Sequence, residues 1–335
     1  MSTTAGVFSE TALRNIRMRA DAIQFDEQLK KDFTPRIDII NAMRRANTAR
    51  MLPLQDGRKN YTVELMWMNA CAIEATACDT CTFDGVELST NVETYALDQC
   101  KQADFTVNHY DFWSNDFGWE EAVAKGMMTA EIRLIEQVVW TYLTTLNTNA
   151  GVNQWGGDVG IATIVGNETR INPVNYHANI ISYLLKVAQF NQMGNPLMMS
   201  GNLLWDDYYN AQFNATGYNT NDGNQSRFSS MDWFWDVWNF NVLGFDLYQF
   251  MVQVGATAFA SRGIYGSTPE YWAEADHWSA PSMFFPELII DWSRKITCVN
   301  DMKNEVYVGK AHWGHFVNPT GCNAEVNGIL QFHAV

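Results

Sequence analysis

At 335 residues the chain has room for a substantial core in one or two domains, and its formal charge of −15 argues against a nucleic-acid binder, because phosphate contacts need basic side chains. No apolar run reaches the ~18 residues of a membrane span, and Met1-Ser-Thr-Thr-Ala-Gly6 leads into charged sequence rather than a secretion signal's apolar core. Six cysteines at this length do not make a disulfide scaffold, so a reducing compartment during folding is expected.

The charge is unevenly placed. Residues 1–60 hold eleven Lys and Arg against seven Asp and Glu, which leaves eleven basic and thirty acidic side chains for the rest. A basic head on an acidic body suits self-association, although a solvated basic helix has the same composition.

Residues 1–55 read as an arm. Leu13, Ile16, Ala20 and Ile23 make a short helical stripe among Arg14, Arg17 and Arg19. Phe33-Thr-Pro35-Arg36 is expected to break the helix, because the residue before a proline is pushed out of the α region. A second helix follows at 38–49 with Arg44, Arg45 and Arg50 exposed. So apolar-poor a segment needs another surface to lie on.

From Asn60 the period changes to two. Tyr61–Met68 reads as a strand, with Val92–Leu97 and Ala103–His109 as its expected partners. The whole excursion, 60–107, has little core of its own. Trp67, Phe83, Tyr95 and Leu97 are therefore expected on neighbouring subunits. Cys71, Cys78, Cys81 and Cys100 all fall in it. Cys78-Asp-Thr-Cys81 has a spacing found in zinc sites, but a second CxxC is absent, so structural zinc, late disulfides and free thiols all stay open.

The chain is organised around 118–147. Val123, Met127, Ala130, Leu134, Val138 and Tyr142 recur in steps of three and four, Asp116 is placed to cap the start, and Glu120 and Glu121 suit the first turn. At ~1.5 Å per residue this helix is about 45 Å long. Ile132, Ile135, Val139, Trp140 and Leu143 lie off the stripe and predict contact on more than one side, as for a spine carrying sheets from both halves of the sequence.

A Gly/Asn-rich connection, 148–174, leads to a helix from about Asn175 to Gln192 with the stripe Ile180, Leu184, Val187 and Asn191 or Phe190, stopped at Gly194. Leu197–Ser200 reads as a buried strand and 202–213 as a helix. Residues 214–227 are a surface loop. The aromatic cluster Trp233, Phe234, Trp235, Trp238 and Phe240 lies beside Asp206, Asp207, Asp232 and Asp236. It reads either as core or interface anchors, or as a sugar-stacking site with two working carboxylates. Phe245–Val254 and Ala256–Ala260 read as paired strands. Strands follow at Leu288–Arg294, Glu305–Phe316 and Asn327–Ala334. His312 and His315 should point to opposite faces, which suits structural histidines better than one metal. No phosphate loop, dinucleotide fingerprint, HExxH or GxSxG occurs, so no catalytic residue and no cofactor is proposed.

In order of parts the chain resembles the tailed-phage major capsid proteins of the Hong Kong 97-like fold, an α+β class. The resemblance rests on Val63–Trp67 and Ala103–His109 as E-loop strands and 118–147 as spine helix. Tyr183-Leu-Leu through Asn195-Pro-Leu-Met-Met-Ser200 is similar to the family's first axial helix and strand, and Val242–Tyr248 to its Leu-Gly axial strand. Leu288–Arg294, Val306–Phe316 and Pro319 resemble its returning peripheral strands. The division it implies is an N-terminal arm 1–55, an E-loop-like excursion 56–107, a peripheral domain 108–175, an axial domain 176–275, and strands returning at 276–335.

The resemblance also implies a structural, non-enzymatic protein of the virion capsid, assembled in the host cytoplasm as hexamers and pentamers around double-stranded DNA. Its partners would be the portal and a separate scaffold or decoration protein; no long scaffolding segment precedes the arm, so scaffolding would come from a separate protein or not be needed. Arg14, Arg17, Arg44 and Arg45 would join the ribbon residues at subunit contacts. Lysine is absent from 72–100, so the family's Lys–Asn cross-link is not expected. Two rival readings are an encapsulin-like compartment and a soluble carbohydrate-active enzyme. Removing 1–55 is expected to stop shell closure without unfolding the rest.

Overall fold

The computed structural model describes residues 15, 27–51, 61–69, 89–113, 118–155, 161–205, 231–299, 302–319 and 327–335. Helix α1 is Glu27–Ala46, α2 His109–Trp113, α3 Trp119–Thr148, α4 Pro173–Phe190 and α5 Val237–Val242. Strands β1 Arg50–Met51, β2 Thr62–Asn69, β3 Ser89–Ala96 and β4 Gln99–Asn108 precede α3. After it come β5 Ala162–Val165, β6 Glu168–Ile171, β7 Leu197–Ser200, β8 Asp232–Trp235, β9 Tyr248–Val252 and β10 Thr257–Ser261. The rest are β11 Glu270–Trp272, β12 Ala275–Pro281, β13 Ile289–Val299, β14 Met302–Val317 and β15 Ile329–Ala334. Helix and sheet are thus mixed along the chain, an α+β fold.

Helix α3 is the centre. Every residue of its expected stripe is buried, and so are Ile132, Ile135, Val139 and Leu143. They share one core with Phe259, Trp278, Trp292, Tyr307 and Trp313 of one sheet and Met199, Phe250, Val252 and Ile329 of another. The helix is a spine between two sheets. Its start differs from expectation: Gly118 is the N-cap without a side-chain hydrogen bond, and Asp116 lies outside the described residues. Inside the helix Glu131 is buried, its Oε2 accepting from Ser282 Oγ and the Met283 amide, both at 2.8 Å.

The first large sheet is built on β14. Along one edge β13 pairs with residues 302–311 and β10 continues over 313–317; along the other edge β4 covers 304–313, all antiparallel. Strands β12 and β11 extend the sheet beyond β13. The second large sheet runs β5-β6-β15-β9-β7-β8. Its alternation puts Met199, Phe250 and Val252 on the α3 side, and Met198, Met251, Leu330 and Phe332 against α4. The α4 stripe is Ile180, Leu184, Val187 and Asn191, with Phe190 exposed.

Three expectations fail. Strand β4 pairs with β14 rather than with β2 or β3, because β2 and β3 already close on each other in register, Thr62 opposite Ala96. Strands β9 and β10 are not a hairpin: the chain changes sheets between them, turning at Gly255 with φ +89°. Helix α1 does not break at Pro35 but runs through it to Ala46. The ring removes one helix hydrogen bond, and burial of Ile39, Ile40, Ala42, Met43 and Ala46 in the α3 core offsets that loss. The segment does lie on another surface, as expected: residues 38–46 pack into the core around α3.

Candidate functional site

The ribbon β1-β2-β3 leaves the body from a packed foot. Alternation along β2 turns Val63, Leu65 and Trp67 inward, where with Leu97 they meet Ala258 and Ala260 of β10 and the Phe316 ring. Tyr95 packs on Phe316 at 4.4 Å between ring centroids, and Tyr61 stacks on His312 at 3.3 Å. The Leu97 amide donates to the Tyr61 carbonyl at 2.8 Å, and Arg262 Nη1 reaches the Thr62 carbonyl at 3.3 Å. Burial, followed by Asp291, Tyr265 and Cys100, pushes Tyr61 up to about 12. Tyr95 is also pushed up to about 12, by burial and then by its 2.6 Å bond to Glu93.

This corrects the expectation for two of the ribbon's anchors. Trp67 and Leu97 are 2% and 5% exposed inside their own subunit, so they are not available to a neighbour. The edge strand β10 supplies the surface that a lone ribbon lacks. Tyr95 is half-buried in the same foot, and Phe83 lies outside the described residues. The opposite ribbon face, with Val92 exposed and Thr90, Thr94 and Ala96 beside it, stays free of the foot.

Comparison with solved structures gives similarities spanning most of the chain. The capsid of cyanophage P-SCSP1u covers 87% of this chain and 87% of its own, at 8% identity and a TM-score of 0.46. The capsid of Ralstonia phage GP4 covers 82% and 84%, at 10% identity and a TM-score of 0.44. The capsid of a native GTA particle covers 88% and 90%, at 8% identity and a TM-score of 0.43. These are capsid structures. No protein-family model matches the chain, and no curated protein matches it.

Two basic residues of α1, Arg44 and Arg45, are engaged within the subunit. Arg44 Nη2 pairs with Glu287 at 2.7 Å and lies over the Phe285 ring, and Arg45 Nη1 pairs with Asp232 at 2.6 Å and lies over Phe234. Both remain substantially exposed, and as surface pairs each contributes at most ~1 kcal/mol. Arg14 and Arg17 lie outside the described residues.

Two of the four acidic side chains of the aromatic cluster, Asp232 and Asp236, are likewise committed. Asp236 is buried and caps α5, accepting from the Asn239 amide at 3.0 Å and from Asn239 Nδ2 at 2.5 Å, while Asp232 holds Arg45. Trp233 and Trp235 stack on each other at 5.5 Å. Neither carboxylate is poised for acid–base work beside them; Asp206 and Asp207 lie outside the described residues.

One polar centre was not anticipated. Glu305 is fully buried, and its oxygens accept from Arg294 Nε and Nη2 at 2.9 and 2.8 Å, from Tyr307 Oη at 2.8 Å and from His109 Nε2 at 2.7 Å. Burial alone would raise its pKa; the Arg294 guanidinium, His109 and Tyr307 outweigh that and hold it at about 2. It therefore stays ionised, which makes His109 Nε2 the donor. The centre ties the end of β4 and α2 to the β13–β14 pair. Its residues are 185 or more positions apart from His109 in sequence, so no local motif marks it.

The two late histidines face opposite ways, as expected. His315 is turned to α3, with Nε2 3.0 Å from the Val138 carbonyl and 3.1 Å from Thr141 Oγ1. Because a carbonyl only accepts, Nε2 carries the proton; Nδ1 is buried without a partner. Burial drives its pKa down to about 3. His312 faces outward beside Cys100. Cys71, Cys78 and Cys81 lie outside the described residues, and no group of three metal-ligating side chains forms among those described.

Proposed function

We propose that the chain is a non-enzymatic major capsid protein of the Hong Kong 97-like kind. It assembles as hexamers and pentamers into an icosahedral shell in the host cytoplasm, closing around double-stranded DNA. The observation that carries this reading is the arrangement about α3. One long helix holds two sheets together, a ribbon is anchored beside it at its foot, and the late strands β13, β14 and β15 return to both sheets. The ribbon's exposed outer face and the N-terminal arm would overlap neighbouring subunits. The acidic body repels phosphate and favours enclosure of DNA over tight binding. A portal, a separate scaffold and a decoration protein would complete the assembly.

Light scattering and electron microscopy of purified protein test the reading. Shells of megadalton mass support it, and a monomer of 38.1 kDa or a small oligomer at assembly concentrations overturns it. Nucleic acid inside such shells separates a virus capsid from an encapsulin-like compartment, which would hold protein cargo. The arm must now be tested by truncation before Glu27. Removing 1–55 strips Ile39, Ile40 and Met43 from the core and is expected to unfold the subunit, whereas loss of 1–26 should leave a folded protein that fails to close shells.

A further inference from the structure

The antiparallel register of β4 on β14 places Cys100 directly opposite His312. On one face of such a pair the side chains meet, and Cys100 Sγ lies 3.3 Å from His312 Nε2. The imidazole is held in that position. Tyr61 covers it at 3.3 Å between centroids with planes 16° apart, and the His312 backbone is pinned by Ser261 Oγ and the Arg262 amide, both bonded to its carbonyl oxygen. Cys100 itself is exposed. A nucleophile open to solvent, with a fixed base at hydrogen-bond distance behind it, is the arrangement that activates a thiol.

We propose that Cys100 and His312 form a thiol–disulfide exchange site that takes low-molecular-weight disulfides of the glutathione disulfide class. The thiol proton passes to His312 Nε2 as the Cys100 sulfur forms a bond to one sulfur of the disulfide. The disulfide bond breaks with its electron pair on the second sulfur, which leaves as a thiolate and recovers the proton from the imidazolium. One disulfide and one thiol give one mixed disulfide and one thiol, so no further oxidant is needed. Burial, and then Lys310, lower the His312 pKa, which keeps the ring neutral and able to accept a proton at pH 7. The product would sit at the foot of the ribbon against Tyr61. This inference rests on the fold and stands apart from the assembly reading.

Cys298, the other exposed free cysteine among the described residues, is an internal control that has Lys303 rather than a histidine opposite it in the β13–β14 register. The full-length protein is treated at pH 7 with glutathione disulfide, and modification of each cysteine is followed by peptide mass spectrometry. Cys100 is expected to react about tenfold or more faster than Cys298, a conservative figure against the ~10²–10⁴ that a positioned base contributes. The variant His312→Gln is expected to bring the two rates within about threefold, a ratio read within one molecule so that any general loosening affects both sites. Cystamine, a cationic disulfide, must give the same preference. A wild-type ratio below about tenfold, a ratio unchanged in His312→Gln, or a preference that reverses with the charge of the probe overturns the proposal.

Discussion

The single internal glycine of α3 makes the close approach of helix and sheet testable. A Cβ built on Gly126 would lie 2.8 Å from Phe105 Cζ and closer still to Cδ2 and Cε2. Helix propensity alone favours Gly126→Ala by ~1 kcal/mol. Overpacking opposes it by ~1–3 kcal/mol when the neighbour cannot move. Phe105 is a ring on β4, stacked at 5.0 Å and 6° on Tyr307, which is fully buried and bonded to Glu305. Its escape is therefore limited, and the packing term should win. Gly126→Ala is expected to destabilise by ~1 kcal/mol, a few degrees at most in a chain of this size. In the Phe105→Ala background the same change should stabilise instead, giving a coupling of ~1–2 kcal/mol, within the range for residues in contact. Calorimetric melts of the four proteins decide it. A more stable Gly126→Ala in the wild-type background, or additivity across the cycle, would refute the claim that glycine is there for room.

Three further outcomes follow from burial and charge. Leu134→Asp places a charge on the 1%-exposed centre of the spine, at a cost of several kcal/mol against a total of ~5–15, so the variant should lack a normal cooperative melt; an unchanged melt would show the stripe is not core. Trp67→Ala empties the small ribbon cluster rather than the main core, so hydrogen exchange should accelerate across β2 and β3 while the main melting transition moves little; uniform exchange would contradict a separable foot. Stability should fall with acid in two windows. His315 is depressed from 6.5 to about 3, so the unfolded chain takes up its proton first and stability declines as the pH drops below 6.5; Glu305, depressed from 4.5 to about 2, adds a second loss below 4.5. His315→Gln should make the decline in melting temperature between pH 6.5 and 4.5 shallower, the remainder coming from His312, which burial also depresses, and leave the lower window in place.

What the sequence made legible was periodicity. The α3 stripe was readable because one face must repeat every three to four residues to stay buried, and the residues off that stripe already required a second contact surface. Alternation likewise marked β2, β3, β4 and β14 as strands. It carries no information about which strand lies beside which, and β4 finds β14 some two hundred residues later, through register contacts such as Phe105 opposite Tyr307. The same limit explains β9 and β10. A four-residue connection between apolar strands has hairpin spacing, yet Met251 and Phe250 face opposite clusters in one sheet while Ala258 and Ala260 face the ribbon in another.

The site residues divide on the same principle. Reasoning from area said correctly that Trp67 and Leu97 need cover, and then assigned the cover to another subunit, because nothing near them in sequence provides it. The cover is β10, held against the ribbon by Phe316 of β14 and by the Tyr61–His312 stack. Among the described residues the ribbon's open face is the outer one, and there β3 presents Thr90, Val92, Thr94 and Ala96, small and uncharged, next to the acidic Glu64 of β2. A neighbouring subunit docking on that face would meet backbone-like area with little side-chain entropy to lose. Arg44 and Arg45 are already paired within their own chain, and residues 1–26 balance Arg14, Arg17 and Arg19 against Glu10, Asp21 and Asp26, so the basic excess of the first sixty residues lies after Arg19 and outside these pairs.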